Sequence, residues 1–383
     1  MDFSDELKRL EADGRLRTLY PVDGPQAAVI TYRGREVLNF ASNDYLGLAN
    51  HPQVVAAVRQ ALDTDGFGAG AARLISGNHR VFGELEARLA ELKGTEAALL
   101  FGSGYQANLG LMQALAPEGV VLCDRLNHAS LFDGARLAGA GLKIYPHGDA
   151  EAAGVLLDRY EAPQLIATDG VFSMDGDLAP LPELSRLARD HGALLMVDDA
   201  HGTGVLGGGR GSVHHLGLSA ADVPVQMGTL GKALGGYGAF VAGSRELIDF
   251  LINRARSFIY TTGAPPALAA GALAALEISS GPEGDALRER LEANRIHMME
   301  GLRAVGVSVP DQPTPILLLL VGDDKAATNL SEALLEAGIL APAVRTPTVP
   351  KGSARLRITL MATHETAHLD RAIEAIGRCH AAV

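Results

Sequence analysis

Cysteine is almost missing from this chain of 383 residues. Its two cysteines, Cys123 in an apolar run and Cys379 near the C-terminus, cannot build a disulfide framework. Tryptophan is absent. No apolar run approaches the ~18 residues of a membrane-spanning helix; the most apolar short stretch, Ile316 to Val321, has the length of a strand. The first residues, Met1-Asp2-Phe3-Ser4-Asp5-Glu6, lack the basic and apolar blocks of a signal peptide, so a cytoplasmic location is expected. Positive charge is also scarce. Lys and Arg number 33 against 45 Asp and Glu, a net charge of −12, which disfavours non-specific attraction to nucleic acid or anionic membrane. An anionic ligand must therefore be met by a local cluster of donors. With 47% hydrophobic and 20% charged residues, the composition excludes a disordered tail, a collagen or a coiled coil. The length suggests two or three domains at about 150 residues each.

Short apolar runs alternate with amphipathic stretches through most of the chain. Strands are expected at Ala97–Phe101, Val120–Cys123, Leu142–Tyr145, Leu165–Asp169, Ala193–Asp198, Pro224–Met227 and Ala239–Ala242. Helices are expected at Gln53–Thr64, Glu84–Lys93, Gln106–Leu115 and Leu181–His191. Continuous apolar strands separated by helices imply an α/β fold with a mostly parallel sheet covered on both faces. In such sheets ligands bind beyond the carboxyl ends of the strands. A turn-rich break at Ser279-Ser280-Gly281-Pro282-Glu283-Gly284 divides a large domain (46–283) from a smaller α+β domain (284–383). Residues 1–45 read as an N-terminal arm.

Only six lysines are present. Five lie on a charged helix face, before a helix-ending glycine, in a strand, after two aspartates or in a Pro/Gly loop. Lys232 differs, because it stands in Gly228-Thr229-Leu230-Gly231-Lys232-Ala233-Leu234-Gly235-Gly236, just past an apolar strand. Glycines admit close approach to the backbone, and a desolvated lysine becomes a usable amine nucleophile. A surface lysine in a flexible loop is the plainer alternative. The strand Ala193–Val197 runs into Asp198-Asp199-Ala200-His201. Two adjacent acids at a buried strand end require cationic partners; a protonated ring nitrogen, a metal or a structural cluster would each satisfy them. Phe101-Gly102-Ser103-Gly104-Tyr105 follows a strand and opens a helix, which suits an anion. Its spacing lacks the dinucleotide fingerprint. His128 follows another strand end.

His364-Glu365-Thr366-Ala367-His368 matches a zinc-protease signature. A third ligand is missing, since Glu374 occupies the place of the downstream histidine. No metal is expected there. The segment reads as the solvated first turn of the last helix, with Thr363 as N-cap, so replacing both histidines by alanine is expected to be near neutral.

Taken together, the segments resemble the α-oxoamine synthases, which are fold type I enzymes dependent on pyridoxal 5′-phosphate (PLP). The resemblance runs through Asn39-Phe40-Ala41-Ser42-Asn43-Asp44-Tyr45-Leu46-Gly47-Leu48, Arg73-Leu74-Ile75-Ser76-Gly77, Asp169-Gly170-Val171-Phe172-Ser173-Met174-Asp175-Gly176, Val197-Asp198-Asp199-Ala200-His201 and Thr229-Leu230-Gly231-Lys232. It implies that Lys232 binds PLP covalently and then acts as the base at the substrate Cα. Asp198 would pair with the pyridine nitrogen, His201 would bond the ring hydroxyl, and His128 would stack on the ring. Gly104, Tyr105, Ser173 and Thr229 would hold the phosphate or its surroundings, with Thr262 reaching in from the second subunit of a homodimer. Arg357 would clamp the substrate carboxylate, and Arg17, Asn43 and Thr348 would line the acyl-donor side. The stretches His201-Gly202-Thr203-Gly204 and Arg345-Thr346-Pro347-Thr348-Val349-Pro350 favour the members that condense L-alanine with a pimeloyl thioester, carried on coenzyme A or a carrier protein. A glycine acyltransferase shares nearly every motif, and a PLP-binding protein without turnover would not need the full set.

Overall fold

The computed structural model describes residues 3–12, 15–160, 164–346 and 348–381. The chain enters through helix α1 (Phe3–Ala12) and strands β1 (Val22–Asp23), β2 (Val29–Tyr32) and β3 (Arg35–Asn39). Helix α2 (Pro52–Asp65) opens with proline in its first turn and His51 as N-cap, accepting from the Gln53 N–H. Helix α3 (Arg80–Lys93) stops at Gly94, whose φ of 65° gives the left-handed cap that returns two carbonyls to hydrogen bonds.

The central part of the chain then alternates. Its elements are β4 (Ala97–Phe101), α4 (Gly104–Leu115), β5 (Val120–Asp124), α5 (Ala129–Leu137), β6 (Gly141–Tyr145), α6 (Ala150–Leu157), β7 (Gln164–Asp169), α7 (Leu181–His191) and β8 (Leu194–Asp198). There follow α8 (Ser212–His215), β9 (Val225–Thr229), β10 (Ala239–Gly243), α9 (Arg245–Arg254), α10 (Arg256–Ile259) and α11 (Pro266–Ser279). The seven strands form one sheet in the order β4-β10-β9-β8-β7-β5-β6. Only β10 runs antiparallel to its neighbours; the rest pair in parallel register. Alternate residues feed opposite faces. Val121, Cys123, Met196 and Met227 pack with α4, α5 and α9, whereas Leu122, Ile166, Leu195 and Val197 pack with α6 and α7. Burial on both faces explains why these strands read as unbroken apolar runs.

The C-terminal part of the chain carries α12 (Pro282–Ala304), β11 (Ile316–Gly322), α13 (Asp324–Glu336), β12 (Ile339–Leu340), β13 (Ala343–Val344), β14 (Ala354–Thr359) and α14 (Thr366–His380). Strands β11, β14 and β13 form an antiparallel sheet. Strand β12 instead joins the N-terminal strands, pairing in parallel with β3. The segment after β3 is tied to β14 as well, since the Phe40 carbonyl accepts from the Thr359 N–H and hydroxyl. Among the described residues, no helix is long and apolar enough to cross a membrane.

The last helix starts later than the sequence suggested. Its N-cap is Glu365, not Thr363, and His364 is buried just ahead of it. His364 Nδ1 accepts from the Met361 N–H, Nε2 faces the Asn39 carbonyl at 3.1 Å, and the ring stacks on Phe40. His368 Nδ1 accepts from the Glu365 N–H. Both nitrogens of His364 are thus engaged in structural hydrogen bonds. The expectation of a solvated turn is overturned for His364, and with it the ground for expecting a neutral variant at that position.

Candidate active site

Parallel strands β5, β7, β8 and β9 end side by side, and their carboxyl ends open onto a cavity of about 200 Å³. Gly104, Tyr105, His128, Ser173, Asp198, His201, Thr229 and Lys232 all line it. So do Asn108, Ser130 and Asp169, which sequence reasoning missed. The order of strands reverses around β5, β6 and β7, the position at which open sheets leave room for a ligand.

Lys232 sits in the loop after β9. Gly235 permits that loop its shape: at φ 62°, a Cβ there would lie 2.2 Å from the Ala49 backbone nitrogen. Burial holds the Lys232 pKa down to about 8, against the opposing pull of Asp198 and Asp169. Its Nζ lies 2.8 Å from His201 Nε2. Burial, reinforced by Lys232 and Arg357, pushes His201 well below the ordinary histidine range. His128 is lowered too, again chiefly by burial. Both imidazoles are therefore neutral at pH 7.

Asp198 is buried at the end of β8. It accepts hydrogen bonds from the Ala200 N–H and from Asn108 Nδ2 at 2.8 Å, and it forms no ion pair among the described residues. Asn108 also donates to Ser130 Oγ, which in turn bonds His128 Nδ1 at 2.7 Å. Asp169 accepts from the His128 N–H and is raised well above the carboxylate range by burial and by Asp198. Its neighbour in sequence to Asp198, Asp199, turns the other way. It meets Lys93 Nζ at 2.6 Å, with both side chains fully buried, and accepts from the Ser212 N–H. Lys93 thus solves half of the paired-acid problem. Its position before a helix-ending glycine concealed that from the sequence.

Ser103 caps α4 by accepting from the Gln106 N–H, and Gly104 and Tyr105, at the start of the helix where backbone N–H groups lack helical partners, line the cavity. Gly104 has room for nothing larger without crowding, since a Cβ would come 3.0 Å from the Thr229 methyl group. Across the cavity mouth, Arg357 on β14 donates through Nε to the Ser173 carbonyl at 2.6 Å and through both terminal nitrogens to Asn43 Oδ1 at 3.2 Å.

Three predicted residues lie elsewhere in this chain. Arg17 is in an exposed coil and Thr348 is exposed after β13. Thr262 is exposed and lines a neighbouring cavity of about 280 Å³. Pro347, quoted beside Thr348, lies outside the described residues.

These residues fit PLP. A buried amine poised near neutrality suits a carbonyl group, and the buried carboxylate without a cationic partner suits a protonated ring nitrogen. The capped helix start suits a phosphate.

Comparison with known proteins agrees. The family model for class I and II aminotransferases matches residues 35–376. An 8-amino-7-oxononanoate synthase of Geobacter sulfurreducens is 51% identical over 377 residues, covering 97% of this chain and 96% of that protein. The chain belongs to the 8-amino-7-oxononanoate synthase family. The solved 8-amino-7-oxononanoate synthase from Francisella tularensis superposes with a TM-score of 0.77 at 29% identity, over 89% of this chain and 97% of that one. A serine palmitoyltransferase solved with PLP reaches a TM-score of 0.93 at 29% identity, over 99% of this chain and 96% of that one. The fold is that of the fold type I PLP enzymes.

Proposed function

We propose that this chain condenses L-alanine with a pimeloyl thioester, releasing the thiol and carbon dioxide, to form 8-amino-7-oxononanoate for biotin synthesis. The observation that carries the reading is the convergence of Lys232, Asp198 and His201 on one cavity, with Arg357 at its mouth, in a chain half identical to such a synthase along its whole length.

Lys232 would hold PLP, with Asp198 at its ring nitrogen, His201 at its ring hydroxyl and His128 against its face. The start of α4 at Gly104 and Tyr105, with Ser173 and Thr229, would hold the phosphate. When bound, PLP supplies an electron sink for charge developing at the substrate Cα. Lys232 would act as a neutral amine to take the Cα proton. A pKa of about 8 leaves a usable neutral fraction at pH 7 and still permits the proton to be returned. Arg357 pairs with the alanine carboxylate through its planar guanidinium, with Asn43 fixing the guanidinium in place. Arg17 and Thr348 belong to the acyl-donor side in this reading. Two chains pair so that Thr262 of one approaches the site of the other, and the enzyme works in the cytoplasm.

The test is a panel of amino acids against thioesters, with products identified by mass. Alanine with a pimeloyl thioester should give 8-amino-7-oxononanoate; turnover with glycine and acetyl-coenzyme A alone would overturn the reading. Borohydride reduction of the yellow holoenzyme should leave the cofactor on Lys232, and a label on any other lysine would refute the site.

A further inference from the structure

His147 sits in the turn between β6 and α6 and does not line the cavity described above. Its Nδ1 lies 3.0 Å from Asp124 Oδ1 and its Nε2 lies 2.8 Å from Asp177 Oδ2. Asp124 is buried at the end of β5 and also accepts from the Leu126 and Gly148 N–H groups. The other oxygen of Asp177 is buried without a hydrogen-bond partner among the described residues. His147 is thus the group that satisfies the Asp177 carboxylate. Its ring also packs edge-on against buried Phe172, with centroids 4.4 Å apart.

Proton counting fixes the charge of this imidazole. An ionised carboxylate only accepts, and a neutral imidazole has a single ring hydrogen to give. A neutral ring would therefore point a lone pair at one of the two acids. Both contacts are made with hydrogens on both nitrogens, so His147 is an imidazolium. The same hydrogen bonds hold its pKa at about 10, against the opposing effect of burial. Among the described residues, the charges that face it are Asp124 from β5 and Asp177 from the turn after β7.

That turn runs from Phe172 to Asp177. The Phe172 N–H donates to the Asp177 carbonyl, and the Gly176 N–H donates to the Phe172 carbonyl. It carries Ser173, which lines the cavity and whose carbonyl accepts from Arg357 Nε at 2.6 Å. From the C-terminal part of the chain, Arg355 pairs with Asp175, and the Thr314 hydroxyl donates to the Gly176 carbonyl at 2.7 Å. The turn is held between β14 on one side and the imidazolium on the other. His147, Asp124 and Asp177 all lie outside the cavity, so a bound cofactor leaves the links among them in place.

We propose that His147 is a positioning residue: its imidazolium, fixed between Asp124 and Asp177, holds the Ser173 turn where Arg357 can clamp the alanine carboxylate. This deepens the function proposed above and rests on the role given there to Arg357.

His147→Gln carries no charge and cannot donate to two carboxylates from opposite ends of the side chain, so the turn loses its tie to β5. The experiment titrates holoenzyme with L-alanine and with ethylamine, which is alanine without its carboxylate, each read by the change in cofactor absorbance. His147→Gln should bind alanine about tenfold more weakly, the scale of one charge-assisted hydrogen bond, and should bind ethylamine as wild type does. Equal losses for both amines, or no loss for either, in a variant whose thermal unfolding confirms the fold would overturn the proposal. Asp177→Ala cuts the same tie from the side of the turn and should show the same selective loss, which decides the matter if His147→Gln does not fold. In histidine-selective NMR of wild type, His147 should stay doubly protonated well above the ordinary histidine pKa of about 6.5. A ring already neutral at about pH 8 would also overturn the proposal. Neither titration needs an acyl donor, so failure of wild type to make 8-amino-7-oxononanoate would refute the function and is read separately.

Discussion

Asp198 and Asp199 are neighbours with opposite duties, and substitution by asparagine should separate them. Asp199 shares a fully buried ion pair with Lys93. Asp199→Asn leaves the ammonium unpaired in the interior, which typically costs ~3–5 kcal/mol. Among the described residues Asp198 accepts hydrogen bonds from neutral donors only, and an amide oxygen can accept from both. Asp198→Asn should therefore unfold in urea close to wild type and still take up PLP. Exchange of the alanine Cα proton with deuterated solvent, followed by NMR, should slow by about 100-fold or more, corresponding to at least ~2.7 kcal/mol of lost transition-state stabilisation. Wild-type exchange in that variant would show that Asp198 is not the partner of the ring nitrogen. Lys232 stood out from its sequence context, since glycines flank it, and an apolar strand marked the acid pair Asp198 and Asp199 without saying which of the two faces the cavity. Asn108, Asp169 and Lys93 carry no such mark. They act through partners 90, 41 and 106 positions away.

The elements themselves follow local chemistry closely. Helix α7 spans the expected Leu181–His191 and β4 the expected Ala97–Phe101, because apolar period and capping glycine fix both. The start of α14 does not, as tertiary contacts claim His364. Burial lowers its pKa to about 4, so it is held neutral between two backbone groups. His364→Ala should cost ~2–3 kcal/mol at pH 7 through two lost hydrogen bonds and a lost ring contact. The unfolded chain binds the extra proton between about 6.5 and 4. This residue therefore contributes stability fully above about 6.5, and that contribution is lost as pH falls toward 4. Urea titrations should show the gap between variant and wild type narrowing over that window. A constant gap would mean that His364 is not the neutral, buried group described.

At the scale of the molecule, the site draws on residues from Asn43 to Arg357, with β14 bringing the Arg357 guanidinium to the carbonyl of Ser173, which lines the cavity. The surface beside Thr262 carries Phe67, Leu74, Ile75 and Tyr260 exposed to solvent. The Gly263 N–H bonds the Ala71 carbonyl, holding the two loops together. The proposed pairing of two chains would cover this apolar area. Wild type should sediment at twice its 40.0 kDa, and Phe67→Glu with Ile75→Glu should yield monomers. A monomeric wild type would refute the pairing.

Sequence alone determined the alternation of strands and helices and the α/β class, and it singled out one lysine of six by its glycine-rich setting. These depend on periodicity, caps and neighbours within a few residues. Only the tertiary structure decided which acid faces the cavity, that Lys93 neutralises the other, and that His147 stands between Asp124 and Asp177. Those outcomes depend on which groups burial strips of water and leaves within hydrogen-bond reach. Distance along the chain carries no record of that.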